Sequence, residues 1–194
     1  MAEVKIGIAT RPRNGYFENG DGYFTKQWDD MLFLAIFDGL GHGKVAAAAS
    51  ERCLSILKEY YQAPLSVIFA TAHDALRRTR GVVMGIALVN LSTLLLRYAG
   101  VGNIATMVIS DEQSTHLISM DGIVGYTLPT IKEFTHQLIH GDVIMMYTDG
   151  ISSSNLSLCP REQLKGADPQ FVSEEILKKH AKSEDDATIL IAHI

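Results

Sequence analysis

The sequence has few cysteines, no basic cluster and no long apolar run. Its two cysteines, Cys53 and Cys159, have no metal-site spacing and make no disulfide framework. No run of Lys or Arg is present, so nucleic acid is not an expected partner. The first residues lack the apolar core of a signal peptide, and no apolar run approaches the ~18 residues of a membrane span. We therefore expect a cytoplasmic protein without a membrane partner.

The size and composition are those of an ordinary globular protein. The chain has 194 residues, of which 47% are hydrophobic and 20% charged, and its formal net charge is −5. A chain of this length can bury a sizeable core. No internal repeat or linker-like stretch divides it. We expect residues 1–194 to form one domain.

Apolar patterning predicts a mixture of many strands and few helices. Helical spacing of apolar residues, with Pro64 and Pro169 suited to first turns, predicts helices at residues 43–61, 64–80, 161–165 and 169–181. Strands are predicted at residues 3–10, 22–28, 31–38, 82–90, 93–99, 104–110, 115–119, 134–139, 143–148 and 187–194. Strands adjacent in sequence resemble hairpins, and ten strands are too many for one flat sheet. We predict an α+β fold with two stacked, mainly antiparallel sheets and helices outside.

The most distinctive stretch joins a strand to a helix. An unbroken apolar run, Met31 to Phe37, leads into Asp-Gly-Leu-Gly-His-Gly-Lys at residues 38–44. An aspartate at the end of a buried strand is costly unless a cation or several donors hold it. The stretch is thus a phosphate-binding turn, a metal site or a solvated turn. Its glycine spacing matches neither the Walker loop nor the dinucleotide fingerprint.

Carboxylates recur beside turns and strand ends along the chain. They are Asp21, Asp38, Asp149 and the pair Asp185-Asp186. Clustered carboxylates repel one another unless cations lie between them. Oxygen ligands without cysteine favour Mg²⁺ or Mn²⁺ over Zn²⁺, and the calcium-loop sequence is absent.

Six short motifs stand in the order of a known family. They are Asn-Gly-Asp at residues 19–21, Asp-Gly-Leu-Gly-His-Gly at 38–43, Gly-Asn at 102–103, Gly-Asp at 141–142, Tyr-Thr-Asp-Gly at 147–150 and Asp-Asp-Ala-Thr at 185–188. Together they resemble the metal-dependent serine/threonine phosphatases (PPM, protein phosphatase type 2C). The compact bacterial SpoIIE-type branch is the most similar. The resemblance implies an αββα sandwich, in agreement with the strand pattern.

The resemblance also implies a site with two Mn²⁺ or Mg²⁺ ions. Asp38 would bridge the ions, and the carbonyl of Gly39 would contribute through water. Asp149 and Asp185 would hold the second ion, and Asp21 would hold ion-bound water. By this analogy Asp38, Asp149 and Asp185 form the catalytic set.

Other positions depart from larger relatives. The histidine that larger relatives carry two residues after the bridging aspartate is Leu40 here, and His42 lies two residues beyond. Asp186 is implied to orient its neighbour. Both Asp186 and His42 are expected to contact the metal ligands without binding the ions themselves. Neither Arg11 nor Arg13 can be matched to the phosphate-binding arginine of those relatives. The general acid is therefore unassigned.

The implied function is hydrolysis of phosphoserine or phosphothreonine on a signalling protein. By resemblance, the substrates would be STAS-domain proteins of a bacterial stress-response complex, the stressosome. Water activated by two ions would attack phosphorus directly. The alternative is a catalytically weak phosphatase-like module that binds or senses a partner. Retention of the acidic positions argues against that alternative.

Overall fold

The structure is a computed structural model that describes residues 4–156 and 160–194. In chain order its elements are β1 (Lys5–Arg11), β2 (Asp21–Trp28), β3 (Met31–Gly39), α1 (Gly43–Tyr60), α2 (Leu65–Leu76), β4 (Val82–Asn90), β5 (Leu95–Val101), β6 (Ala105–Ile109), β7 (Ser114–Leu117), β8 (Phe134–Gln137), β9 (Val143–Tyr147), α3 (Ser153–Leu156), α4 (Arg161–Gly166), α5 (Pro169–His180) and β10 (Ala187–His193).

The strands form two antiparallel sheets. One sheet has the order β1-β10-β9-β6-β7, and the other has the order β2-β3-β4-β5-β8. Every pairing between neighbouring strands is antiparallel. The two sheets are flanked by helices, which confirms the predicted α+β sandwich.

The core lies in three layers. Alternate side chains of β3 point to opposite faces of its sheet. Phe33 and Phe37 pack with residues of α1 and α2, whereas Leu34 and Ile36 pack with residues of β9 and β10 from the other sheet. On the far side, Val172 of α5 packs with β9 and β10. Because both faces of β3 are covered, the strand is a continuous apolar run rather than an alternating one.

Glycines allow α1 to begin close to the end of β3. A Cβ on Gly39 would lie 2.3 Å from the carbonyl oxygen of Ala46, so the helix could not approach a larger residue there. Gly41 and Gly43 have φ angles of 108° and 62°, which L side chains rarely adopt. The end of β3 and the start of α1 are thereby held at one edge of the sandwich.

The structure corrects several element boundaries. The second helix was predicted to reach residue 80, but α2 ends at Leu76, where the Leu76 carbonyl accepts hydrogen bonds from the backbone and hydroxyl of Thr79. A short helix, Ser153–Leu156, lies in a stretch for which the sequence patterning predicts no helix. Cys53 is buried, whereas Cys159 lies outside the described residues. None of the helices in the described ranges combines the length and apolar character needed to cross a membrane.

Candidate active site

Two of the predicted carboxylates face each other on neighbouring strands. Asp21 is the first residue of β2, and Asp38 is near the end of β3. The two residues are direct partners in the antiparallel register. Directly opposed residues project from the same face of a sheet. The chain therefore brings Asp21 and Asp38 together although the sequence separates them by a whole hairpin.

A cleft of about 680 Å³ opens beside Asp38. Four of its lining residues are the aspartates Asp38, Asp121, Asp149 and Asp185. The other lining residues are Leu40, Gly41, Val83, Gly102, Asn103, Gly122 and Ile123. The wall is therefore acidic, and it contains the three residues predicted to form the catalytic set.

Asp38 has the most perturbed carboxylate in the cleft. Burial raises the pKa of Asp38 from 3.8 to about 9, and the charge of Asp21 adds to the shift. Within the described residues, no hydrogen-bond donor reaches the Asp38 carboxylate. A carboxylate with no donor and acidic neighbours is unfavourable in its charged form unless a cation lies beside it.

Asp21 lies behind the cleft rather than in its wall. It lines a smaller cavity of about 200 Å³ between β2 and α1. The hydroxyl of Thr148 donates a hydrogen bond of 2.7 Å to its Oδ2, and that hydroxyl accepts one from the backbone N–H of Thr188. Burial raises the pKa of Asp21 to about 7, while the bond from Thr148 opposes the shift. Asp21 is thus oriented by the β9 and β10 chain ends.

Asp149 lies just after the end of β9, and Asp185 lies just before the start of β10. Asp149 is exposed, and its Oδ2 accepts a hydrogen bond of 2.9 Å from Nδ2 of Asn103. The Lys182 ammonium donates to the Asp149 carbonyl oxygen at 2.6 Å. Partial burial, followed by the charge of Asp149, raises the pKa of Asp185. These two carboxylates therefore also repel each other across the cleft.

Asp186 has a different environment from its neighbour. It is buried, and its two oxygens accept hydrogen bonds from the backbone N–H groups of Arg13, at 2.8 Å, and Gly20, at 2.9 Å. Asp186 does not line the cleft. Its backbone N–H donates to Oδ1 of Asp185. Asp186 ties the segment before β2 to the start of β10 and orients Asp185.

The two basic residues considered as phosphate ligands point elsewhere. Arg11 donates hydrogen bonds to the carbonyl oxygens of Pro12 and Lys182. The guanidinium of Arg13 lies over the ring of Tyr16, 4.8 Å from its centroid. Neither arginine lines the cleft.

His42 is also outside the cleft wall. It is the exposed N-cap of α1, and its ring lies 5.5 Å from that of Tyr16. Leu40, which takes the place of the histidine in larger relatives, does line the cleft.

The carboxylates of the cleft are suited to binding a hard divalent cation. In residues 4–156 and 160–194, no three His, Cys, Asp or Glu side chains form a ready metal cage. However, Asp38, Asp149 and Asp185 line one cleft, and Asp38 has no donor. Carboxylate oxygens with open space for water are the ligands that Mg²⁺ and Mn²⁺ use. Gly39, whose N–H donates to the Gly20 carbonyl, lies next to Asp38.

The sequence analysis did not identify three residues that shape the candidate site. Asn103 and Thr148 fix the positions of Asp149 and Asp21, and Asp121 adds a carboxylate to the cleft. Asn103 and Thr148 belong to the recognised motifs, so their polar side chains were available signals. Asp121 lies in an irregular loop, and only the tertiary structure brings it to the cleft.

The sandwich of two antiparallel sheets flanked by helices is the fold of type 2C (PP2C) phosphatase domains. The family model for Stage II sporulation protein E (SpoIIE) matches residues 29–194, and the chain belongs to this family. The chain is also similar to the phosphoserine phosphatase RsbX of Bacillus subtilis (strain 168). The identity is 24% over 177 residues, covering 90% of this chain and 87% of RsbX.

Solved structures agree with this assignment. A structure from work on the bacterial stressosome as a modular system controlling secondary messenger signalling superposes with a TM-score of 0.92 at 29% identity, covering 99% of this chain and 100% of that chain. The structure of RsbX in complex with magnesium gives a TM-score of 0.86 at 23% identity, covering 98% of this chain and 94% of that chain. The fold is therefore shared with these proteins.

Proposed function

We propose that residues 1–194 act as one metal-dependent serine/threonine protein phosphatase domain. The observation that carries the proposal is the Asp38 carboxylate, which has no hydrogen-bond donor among the described residues and lines a cleft together with Asp149 and Asp185. Similarity to a phosphoserine phosphatase, RsbX, supports the reaction class. The magnesium complex of RsbX supports a divalent cation as the cofactor.

Two Mn²⁺ or Mg²⁺ ions would be held by the chain's acidic residues. Asp38 would bridge them, Asp149 and Asp185 would hold one, and Asp21 and Gly39 would contribute to the other through water. When bound, such ions neutralise the carboxylates, offset charge on the phosphoryl oxygens and lower the pKa of water.

The surrounding residues prepare this arrangement. Asn103 holds Asp149 by a side-chain hydrogen bond, and Thr148 holds Asp21 in the same way. Each polar partner fixes the direction of a carboxylate before any cation arrives, which lowers the entropy cost of binding.

Direct attack by water fits the cleft better than a covalent intermediate. The lining residues include no Cys, Ser or His. Aspartates that hold cations are poor nucleophiles, since the cations withdraw their charge. The reaction is therefore hydrolysis in a single displacement at phosphorus.

The substrate is a phosphorylated signalling protein. The proposed substrates are phosphorylated STAS-domain proteins of a stressosome. Support comes from the similarity to RsbX and to a chain solved in work on the bacterial stressosome. The cleft is open, and its wall combines four aspartates with the apolar side chains of Leu40, Val83 and Ile123, so it can receive a phosphorylated side chain presented on a protein surface.

The test is hydrolysis of a serine-phosphorylated STAS protein by EDTA-treated protein, with and without added Mn²⁺ or Mg²⁺. We expect phosphate release only with the cation. If the protein binds the phosphoprotein tightly but releases no phosphate with either cation, it is a binding module rather than an enzyme.

A further inference from the structure

A basic side chain that the site description does not use lies at the rim of the cleft. Arg80 follows α2, and its guanidinium packs against Gly41, a residue of the cleft wall. A Cβ placed on Gly41 would lie 3.1 Å from Nη1 and 3.6 Å from Cδ of Arg80. The missing side chain at Gly41 thus leaves the space in which the guanidinium rests.

The backbone around Arg80 is fixed from two directions. The N–H of Leu40 donates to the carbonyl oxygen of Gly81, which ties the segment to the end of β3. On the other side, Val82 and Val124 exchange two backbone hydrogen bonds of 2.9 Å, which tie it to the loop of Gly122 and Ile123. Arg80 is therefore anchored at its base between two parts of the cleft wall.

The guanidinium has no polar partner among the described residues. Arg80 is exposed, and within the described residues it forms no ion pair and no hydrogen bond. By contrast, Arg77 is paired with Asp74 at 3.1 Å, and Arg11 bonds to backbone carbonyls. Arg80 thus keeps all five of its N–H donors available beside the cleft.

The charge of the cleft makes such a cation useful. Its wall contains four aspartates and no Lys or Arg, so the wall itself offers a phosphate dianion no cationic side chain. The planar guanidinium matches two oxygens of a phosphate group in a bidentate hydrogen bond. Lys182, the other nearby cation, is already bound to the Asp149 carbonyl oxygen.

We propose that Arg80 binds the phosphate group of the substrate at the rim of the cleft, beside Gly41. This inference rests on the proposed phosphatase function, because it names the residue that receives the phosphate. Arg80 takes this part from the segment after α2, rather than from the N-terminal segment that contains Arg11 and Arg13.

The test compares Arg80→Ala and Arg80→Lys with the control Arg78→Ala. Arg78 is an exposed arginine of the same segment, and the three atoms nearest to the Gly41 Cβ position all belong to Arg80. With Mn²⁺-loaded protein, we would measure KM and kcat for para-nitrophenyl phosphate and for a phosphoserine peptide, and the inhibition constant of inorganic phosphate.

For Arg80→Ala we expect the inhibition constant of phosphate and both KM values to rise about 10-fold or more, which is typical for a lost charge-assisted hydrogen bond. Arg80→Lys should recover part of the loss, since it keeps the charge but not the planar fork. Arg78→Ala should behave as the wild type, and thermal stability should be equal in all proteins. Unchanged phosphate inhibition in Arg80→Ala would overturn the proposal.

Two further outcomes separate the alternatives. A raised KM for the phosphopeptide alone would place Arg80 against residues that flank the phosphoserine, and this too would overturn the proposal. If the wild type hydrolyses neither substrate, the proposed function fails. The shift in thermal stability that inorganic phosphate produces in Mn²⁺-loaded wild type and Arg80→Ala then tests Arg80 by itself, and equal shifts would reject its role.

Discussion

Replacing Asp38 by asparagine should stabilise the metal-free protein and weaken its binding of divalent cations. The ordinary pKa of this carboxyl is 3.8, and in the folded chain it is raised to about 9. At pH 7 the unfolded chain carries the charge and the folded chain carries a proton. About three pKa units separate pH 7 from the ordinary value, and each is worth about 1.36 kcal/mol, so folding loses about 4 kcal/mol.

Asparagine removes this penalty because it has no charge to neutralise. A partly buried amide without a partner costs about 1–2 kcal/mol in return. The net gain in the free energy of unfolding is therefore about 2–3 kcal/mol, or roughly 4–12 °C in Tm for a chain of this size. The measurement is thermal and urea unfolding of Asp38→Asn and wild type in EDTA at pH 7.

Mn²⁺ should reverse the order of the two proteins. Wild type should gain stability with rising Mn²⁺ by mass action, whereas Asp38→Asn should gain little. If Asp38→Asn were less stable than wild type in EDTA, Asp38 would be a structural turn residue and the reasoning from its missing donors would be wrong.

Three more predictions follow from the same geometry. Asp186→Asn should lower the free energy of unfolding in EDTA by about 1–3 kcal/mol in urea melts, because both oxygens of Asp186 accept backbone N–H groups and an amide can accept at only one; a gain in stability would contradict this. The stability advantage of Asp38→Asn over wild type in EDTA should be absent near pH 4 and grow up to about pH 9, because the raised pKa of Asp38 makes the charged form costly only above the ordinary value; an advantage that shrinks with rising pH would have the wrong sign. His42→Ala should reduce the hydrolysis rate of a phosphoprotein less than ~10-fold, below the ~10²–10⁴ typical of a general acid, because His42 is outside the cleft wall; a larger loss that disappears with an aryl phosphate would make His42 the proton donor.

The fold could be predicted well because its signals are local. The run from Met31 to Phe37 is apolar throughout, and β3 is indeed covered on both faces. The predicted element boundaries were wrong where tertiary contacts determine the end of an element. α2 stops at Leu76 because the chain turns to reach Gly81, which bonds to Leu40, and no helical propensity at residues 77–80 reports that contact.

The site was predictable as a set of residues but not as an arrangement. The turn motifs identified Asp38, Asp149 and Asp185, and the structure brings them to one cleft. The sequence could not separate the environment of Asp185 from that of Asp186, since the difference comes from backbone donors more than 160 residues away. The position of Arg80 against Gly41 is equally invisible in the sequence.

The most direct test of the central claim is a calorimetric titration of EDTA-treated protein with Mn²⁺. The account predicts that wild type binds about two ions, and that Asp38→Asn loses the tight binding because the shared carboxylate is gone. Asp186→Asn, which changes a buried carboxylate outside the cleft wall, should keep the stoichiometry. Binding of Mn²⁺ by Asp38→Asn with the same stoichiometry and affinity as wild type would contradict the claim that the acidic cleft is built to hold cations.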